Sequence, residues 1–176
     1  MFSSFHLYFE DVEIGQEWLS VGRTVTQADI VNFAGISGDF NPIHMDHVYA
    51  KSTPFRQPIA HGLLVFTMAS GLGLNCPPMR TLAFLRVGEW LMSEPVYIGD
   101  TLRLKAQVVD KTVRGRGRRG EIKWKRIVLN QDDRIVQQGE IVTIVEGRGA
   151  KVLMSLPCKN GSPEPVTVPE VAPKAS

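Results

Sequence analysis

Between Thr101 and Val108 apolar and polar residues alternate without a break. Leu102, Leu104, Ala106 and Val108 fall on one side, and Arg103, Lys105 and Gln107 on the other. A period of two is that of a strand with one face against a core. Ile122 and Trp124 keep the period, which slips at Lys125-Arg126, and the slip predicts a bulge. Asn130-Gln131-Asp132-Asp133 marks a turn, and Ile135 to Val145 a further strand. Three or four long strands joined by such turns, beginning near Arg80, predict an antiparallel meander.

The first half of the chain has a different rhythm. Glu17 to Val25, with Trp18, Val21 and Val25, predicts a first strand. Thr26 then suits a helix cap, Asp29 suits the positive helix end, and Ile30, Phe33 and Ala34 form an apolar face that ends near Gly35. Ser37 to Pro58 is rich in Gly, Asp, Asn and Pro, with one short helix expected from Asp46 to Ser52. Long connections of this kind are often functional. His61 to Leu72 is apolar nearly all round, which predicts a helix enclosed by protein on most sides. The order of elements is that of an α+β fold, a sheet wrapped on a helix.

Composition narrows the function. In 176 residues the formal net charge is +2, too small to imply nucleic acid or a membrane surface. The apolar run from Gly62 to Leu74 is shorter than the roughly 20 residues that span a bilayer. The N-terminus lacks the pattern of a signal peptide. Cys76 and Cys158 belong to no metal-ligand spacing and fit a reducing compartment, so a cytoplasmic protein is expected. Five of the 11 prolines follow Gly149. We therefore expect a single domain over 1–149 and an irregular tail over 150–176.

Chemistry concentrates in Gly38-Asp39-Phe40-Asn41-Pro42-Ile43-His44-Met45-Asp46. Gly38 and Pro42 restrict the backbone in different ways, so flanking side chains can be held in fixed directions. A carboxylate and an imidazole converging on one water is what hydration of a double bond requires. The competing reading makes Asp39 and Asn41 turn-forming residues and His44 a buried hydrogen-bonding one. Pro58-Ile59-Ala60-His61-Gly62 enters the apolar helix, whose free N–H groups could receive an oxyanion. Gly62 would let a carbonyl approach, or would merely permit close packing.

Taken together, the two stretches resemble the MaoC-like family of (R)-specific enoyl-CoA hydratases and dehydratases, most strongly over about residues 26 to 74. The resemblance implies a hotdog fold, a long helix wrapped by an antiparallel sheet, acting on acyl-CoA or acyl-carrier-protein thioesters. It implies Asp39 and His44 as the catalytic pair, Gly62 as the amide donor to the thioester carbonyl, Ser70 as a serine that helps order the site and Asn41 as the asparagine of the signature, with Gly62, Asn41 and Ser70 on the oxyanion and substrate-binding side. No metal or cofactor is implied. A homodimer, or a higher even oligomer, joined along sheet edges is expected. A hotdog thioesterase and a non-catalytic acyl-binding subunit are the alternatives.

Two motifs mislead. Gly115-Arg116-Gly117-Arg118-Arg119-Gly120 spells a dinucleotide fingerprint, yet strands flank it on both sides where the fingerprint must open a helix, so a hairpin tip is expected. Its arginines, with Arg114, read first as a solvated, charged turn, though they could meet CoA phosphates. His44-Met45-Asp46-His47 invites a metal, but no further His or Cys cluster completes a site.

Overall fold

The computed structural model describes residues 6–149; the expected proline-rich tail and residues 1–5 lie outside the described residues. Four long strands build the sheet: β3 (Thr81–Met92), β4 (Thr101–Arg114), β5 (Arg119–Leu129) and β6 (Ile135–Glu146). Two short ones, β1 (Glu17–Leu19) and β2 (Arg23–Thr24), pair with β4. All pairings are antiparallel, in the order β1-β4-β5-β6-β3. The meander thus holds for β4 to β6 only. β3 precedes β4 in the chain but lies beyond β6, so the connection between β3 and β4 crosses the sheet.

The single first strand expected from Glu17 to Val25 is broken in two. Ser20 causes the break: its Oγ accepts the Leu104 N–H at 2.8 Å, a side chain standing in for a ladder carbonyl. The chain then rejoins β4 at Arg23.

The alternation in β4 is borne out, with Leu102, Leu104, Ala106 and Val108 all buried. Each such aliphatic side chain contributes on the order of 1.5–3 kcal/mol by leaving water. In β5 the expected bulge at Lys125-Arg126 is absent. Ile122, Trp124, Arg126 and Val128 all face inward, and the register shifts lie at Val108/Asp110 and Val128/Leu129 instead. The period seemed to slip because an arginine occupies an inward position.

Helix α1 (Gln27–Ser37) starts with the expected cap. Thr26 Oγ1 accepts the Asp29 N–H, and Asp29 Oδ2 accepts the Thr26 N–H. It runs past Gly35 to Gly38, whose φ of 75° is the left-handed stop that glycine adopts freely. α2 (Pro42–Met45) and α3 (His47–Ser52) are short turns of helix in the connection. α4 (Gly62–Leu72) is the helix the sheet wraps. Its Leu64, Val65, Met68 and Ala69 pack with Leu102, Leu104, Val128 and Val136 in one core cluster. A second cluster around Trp124, Ile122 and Val145 is closed by Phe9 and Val12 from the N-terminal segment.

α4 is less enclosed than its composition suggested. Leu63, Thr67 and Ser70 lie along one exposed stripe, continued by Leu74 just past the helix. The apolar all-round pattern therefore covers one face buried in this chain and another that faces out.

Candidate active site

Asn41 and Pro42 shape the first half of the site. Asn41 Oδ1 accepts the Ile43 N–H at 3.1 Å and caps α2, while Pro42 takes a first-turn position where a missing N–H costs nothing. Asp39 Oδ1 accepts the Asn41 N–H at 3.2 Å. The turn-forming reading of Asp39 and Asn41 is therefore true as far as it goes. Its consequence is positional: the turn and the helical turn after it bring His44 back toward Asp39.

The two side chains meet across a gap. His44 Nε2 stands 3.9 Å from Asp39 Oδ2, with the His44 side chain 9% exposed and that of Asp39 52%. His44 Nδ1 lies 2.8 Å from the Ile59 carbonyl oxygen, which can only accept, so Nδ1 carries the hydrogen and donates it. Nε2 is left with a lone pair on the Asp39 side. Burial, reinforced by neighbouring His61, holds the His44 imidazole below the usual histidine range, against the opposing pull of the Ile59 bond and of Asp39. His44 is thus neutral at ordinary pH. Water can hydrogen-bond both atoms at once: at ~2.8 Å from each, it would see them at an angle of about 90°.

His61, which carried no assigned role in the sequence, is the third member. Its Nε2–H donates to the Asp39 main-chain carbonyl at 2.9 Å, across 22 residues of chain. Its ring stacks on that of His44 at 3.8 Å and meets Phe33 at 5.1 Å. His61 is buried, and its Nδ1 has no partner among the described residues. The available signal was the Pro-x-x-His-Gly turn itself, in which a histidine precedes an apolar helix. Asp39, His44 and His61 each bring a possible ligand atom within 4.8 Å of the others. The histidine rings are stacked at 30°, however, so their free lone pairs lie in separate, nearly parallel planes, whereas a tetrahedral ion needs its donors to converge.

The start of α4 closes the site. No side chain among the described residues caps this helix, and its first residue, Gly62, at the positive end of the helix dipole, lines an opening with His44, Ile59, Met92 and Gln137. Buried Gln137 fixes the first turn by donating to the Gly62 carbonyl at 2.8 Å while accepting the Trp90 indole N–H at 3.0 Å. Met92 fills the space that a Cβ on Gly62 would take. The packing role of Gly62 is therefore real, and the neighbour is a flexible side chain.

The structure thus brings His44 and Gly62 to one opening, with Asp39 beside His44 and Asn41 capping the turn between those two. Ser70 lies apart, about 12 Å further along α4 by helical rise. It lines a second cavity with Phe66, Gly73 and Arg126.

A family model for the MaoC like domain matches residues 10–128. The chain belongs to the MaoC-like dehydratase family. The (R)-specific enoyl-CoA hydratase of Rhodospirillum rubrum is 34% identical to this MaoC-like chain over 144 residues, 81% of the chain and 94% of that protein. Protein MaoC of Klebsiella aerogenes is 36% identical over 110 residues, 62% of this chain and 33% of its own length. A Mycobacterium tuberculosis protein with a double hotdog fold superposes with a TM-score of 0.71 at 22% identity, covering 82% of this chain and 45% of that one. The sheet wrapped on α4 is accordingly a hotdog. Hydration and dehydration are two directions of one reaction, and the MaoC-like chain is a hydro-lyase.

The glycine-arginine motif sits where a hairpin tip was expected, as a 3-10 turn (Gly115–Gly117) between β4 and β5. No helix among the described residues is long and apolar enough to cross a membrane.

Proposed function

We propose that the protein adds water to a trans-2-enoyl thioester, giving the (R)-3-hydroxyacyl thioester, or removes it in reverse. The observation that carries this reading is the 3.9 Å gap between Asp39 Oδ2 and the lone-pair nitrogen of His44. A water in that gap gives one proton to Nε2 as its oxygen bonds the β-carbon. Asp39 holds the other hydrogen and so orients the attack. The proton on His44 passes to the α-carbon, so the whole water ends on the product. Negative charge that develops on the thioester oxygen meets the Gly62 amide and the positive end of α4. Met92 must yield to admit the substrate. CoA or a carrier protein presents the acyl group.

A second copy completes the molecule in this reading. Leu82, Phe84, Leu85, Val87 and Leu91 of β3 are each 43–55% exposed, and the outer edge of β3 pairs with no strand among the described residues. Pairing two such edges covers them. The double hotdog relative, of which this chain covers under half, supports that arrangement. Free, buried Cys76 is in keeping with a cytoplasmic protein.

Crotonyl-CoA tests the activity. The expected result is loss of enoyl absorbance with no free thiol, and chiral analysis giving the (R)-alcohol. Thiol release with the enoyl group intact would replace this reading with that of a thioesterase.

A further inference from the structure

Arg126 is the one inward-facing charge of β5, and it is 7% exposed. Its Nη1 donates to the Cys76 carbonyl at 3.3 Å, and its guanidinium stands 5.1 Å from the Trp124 ring. Its Nε has no partner, and no carboxylate pairs with it among the described residues. Burial lowers its pKa to about 10, which still leaves it charged at neutral pH. A buried guanidinium with an unpartnered Nε–H and no carboxylate beside it is costly, and such groups are normally paired. The C-terminal end of α4 offsets part of that cost. A Cβ on Gly73 would lie 2.7 Å from Nη1, so the missing side chain there is what admits the guanidinium.

Arg126 lines a cavity of about 80 Å³ that is otherwise mostly apolar, with Phe66, Leu104 and Trp90 among its walls. This cavity shares no lining residue with the opening at the start of α4 but follows it along α4 and β3. Val65 and Phe66 are consecutive on α4, and Trp90 and Met92 share one face of β3. Val65 and Met92 line the opening, while Phe66 and Trp90 line the cavity. From Gly62 to Gly73 the helix rises roughly 16 Å; allowing about 3 Å for a hydrogen bond at each end leaves roughly 10 Å, the length of an eight- to ten-carbon chain.

We propose that this cavity receives the far end of the acyl chain and that Arg126 selects chains ending in a carboxylate, making the preferred substrate a monothioester of a medium-length dicarboxylic acid. Apolar walls would hold the methylene groups, and a bidentate ion pair would satisfy the guanidinium at the end. The inference rests on the hydratase reading above.

Three substrates separate the two: crotonyl-CoA, trans-2-decenoyl-CoA and its ω-carboxyl counterpart, trans-2-decenedioyl mono-CoA. Crotonyl-CoA is too short to reach Arg126, so its hydration tests the hydratase reading alone. The wild-type protein should prefer the carboxylate-terminated substrate over decenoyl-CoA by about 10- to 100-fold in kcat/KM, the range for a hydrogen bond to a charged group. In Arg126→Met, of similar length and uncharged, that ratio should fall below one, and Arg126→Lys should restore part of it. Hydration of crotonyl-CoA with equal or poorer use of the carboxylate-terminated chain by the wild type would overturn this inference and leave the hydratase reading standing. Inactivity toward all three would overturn both. The wild-type comparison needs no variant to fold.

Discussion

The chemistry proposed for His44 depends on what its other nitrogen does. The Ile59 carbonyl takes the Nδ1 hydrogen, and the stacked His61 ring stops the imidazole from turning away. A hydration rate carried by neutral Nε2 must therefore fall as pH drops and that nitrogen is protonated. Because burial depresses the His44 pKa below its ordinary 6.5, kcat/KM should hold steady down to about that pH and decline only below it. A pH profile of hydration checks this; an acid limb centred above 6.5 would contradict the direction of the shift. Asp39 and His44 were legible in the sequence because five positions around Asn-Pro span one capped helical turn. The role of His61 was not, since its bond to the Asp39 carbonyl joins residues 22 apart, and no local period encodes such a contact.

Among the elements, α4 joins the two proposals, with its start at the opening proposed as catalytic and its end at Arg126. Bulk at Gly62 meets Met92, whose side chain can shift, so Gly62→Val should cost about 1–3 kcal/mol as overpacking. For a chain of this size that is about 2–4 °C in Tm per kcal/mol. Turnover should fall much further, by at least about 10²-fold, through the obstructed amide. Thermal melts alongside rates check this; unchanged turnover in a folded Gly62→Val protein would remove Gly62 from the site. The strand pattern was readable wherever burial followed hydrophobicity, as in β4. It misled in β5 because Arg126 breaks that rule, and a polar residue facing inward looks the same in sequence as a shift of phase.

Across the whole molecule, the apolar residues of β3 and the outward stripe of α4 have no cover among the described residues, although the helix read as enclosed on most sides in the sequence. A period cannot say whether a face is buried by its own chain or by another copy. The pairing of β3 with β6 was equally hidden, because order in the sheet is set by a crossover that leaves no periodic trace. Light scattering at micromolar concentration should find an even oligomer, and deleting residues 150–176 should leave it intact. A stable, active species at the 19.5 kDa monomer mass would contradict the paired-edge arrangement.

In the proposed mechanism Asp39 and His44 act on one water. Crotonyl-CoA hydration by Asp39→Ala, His44→Ala and the double variant, each verified as folded by circular dichroism, tests it most directly. Each single change should lower turnover by about 10²–10⁴-fold. The double variant should lose little more, because groups that act as a unit are strongly non-additive. A folded Asp39→Ala protein that keeps near-wild-type turnover would contradict the claim.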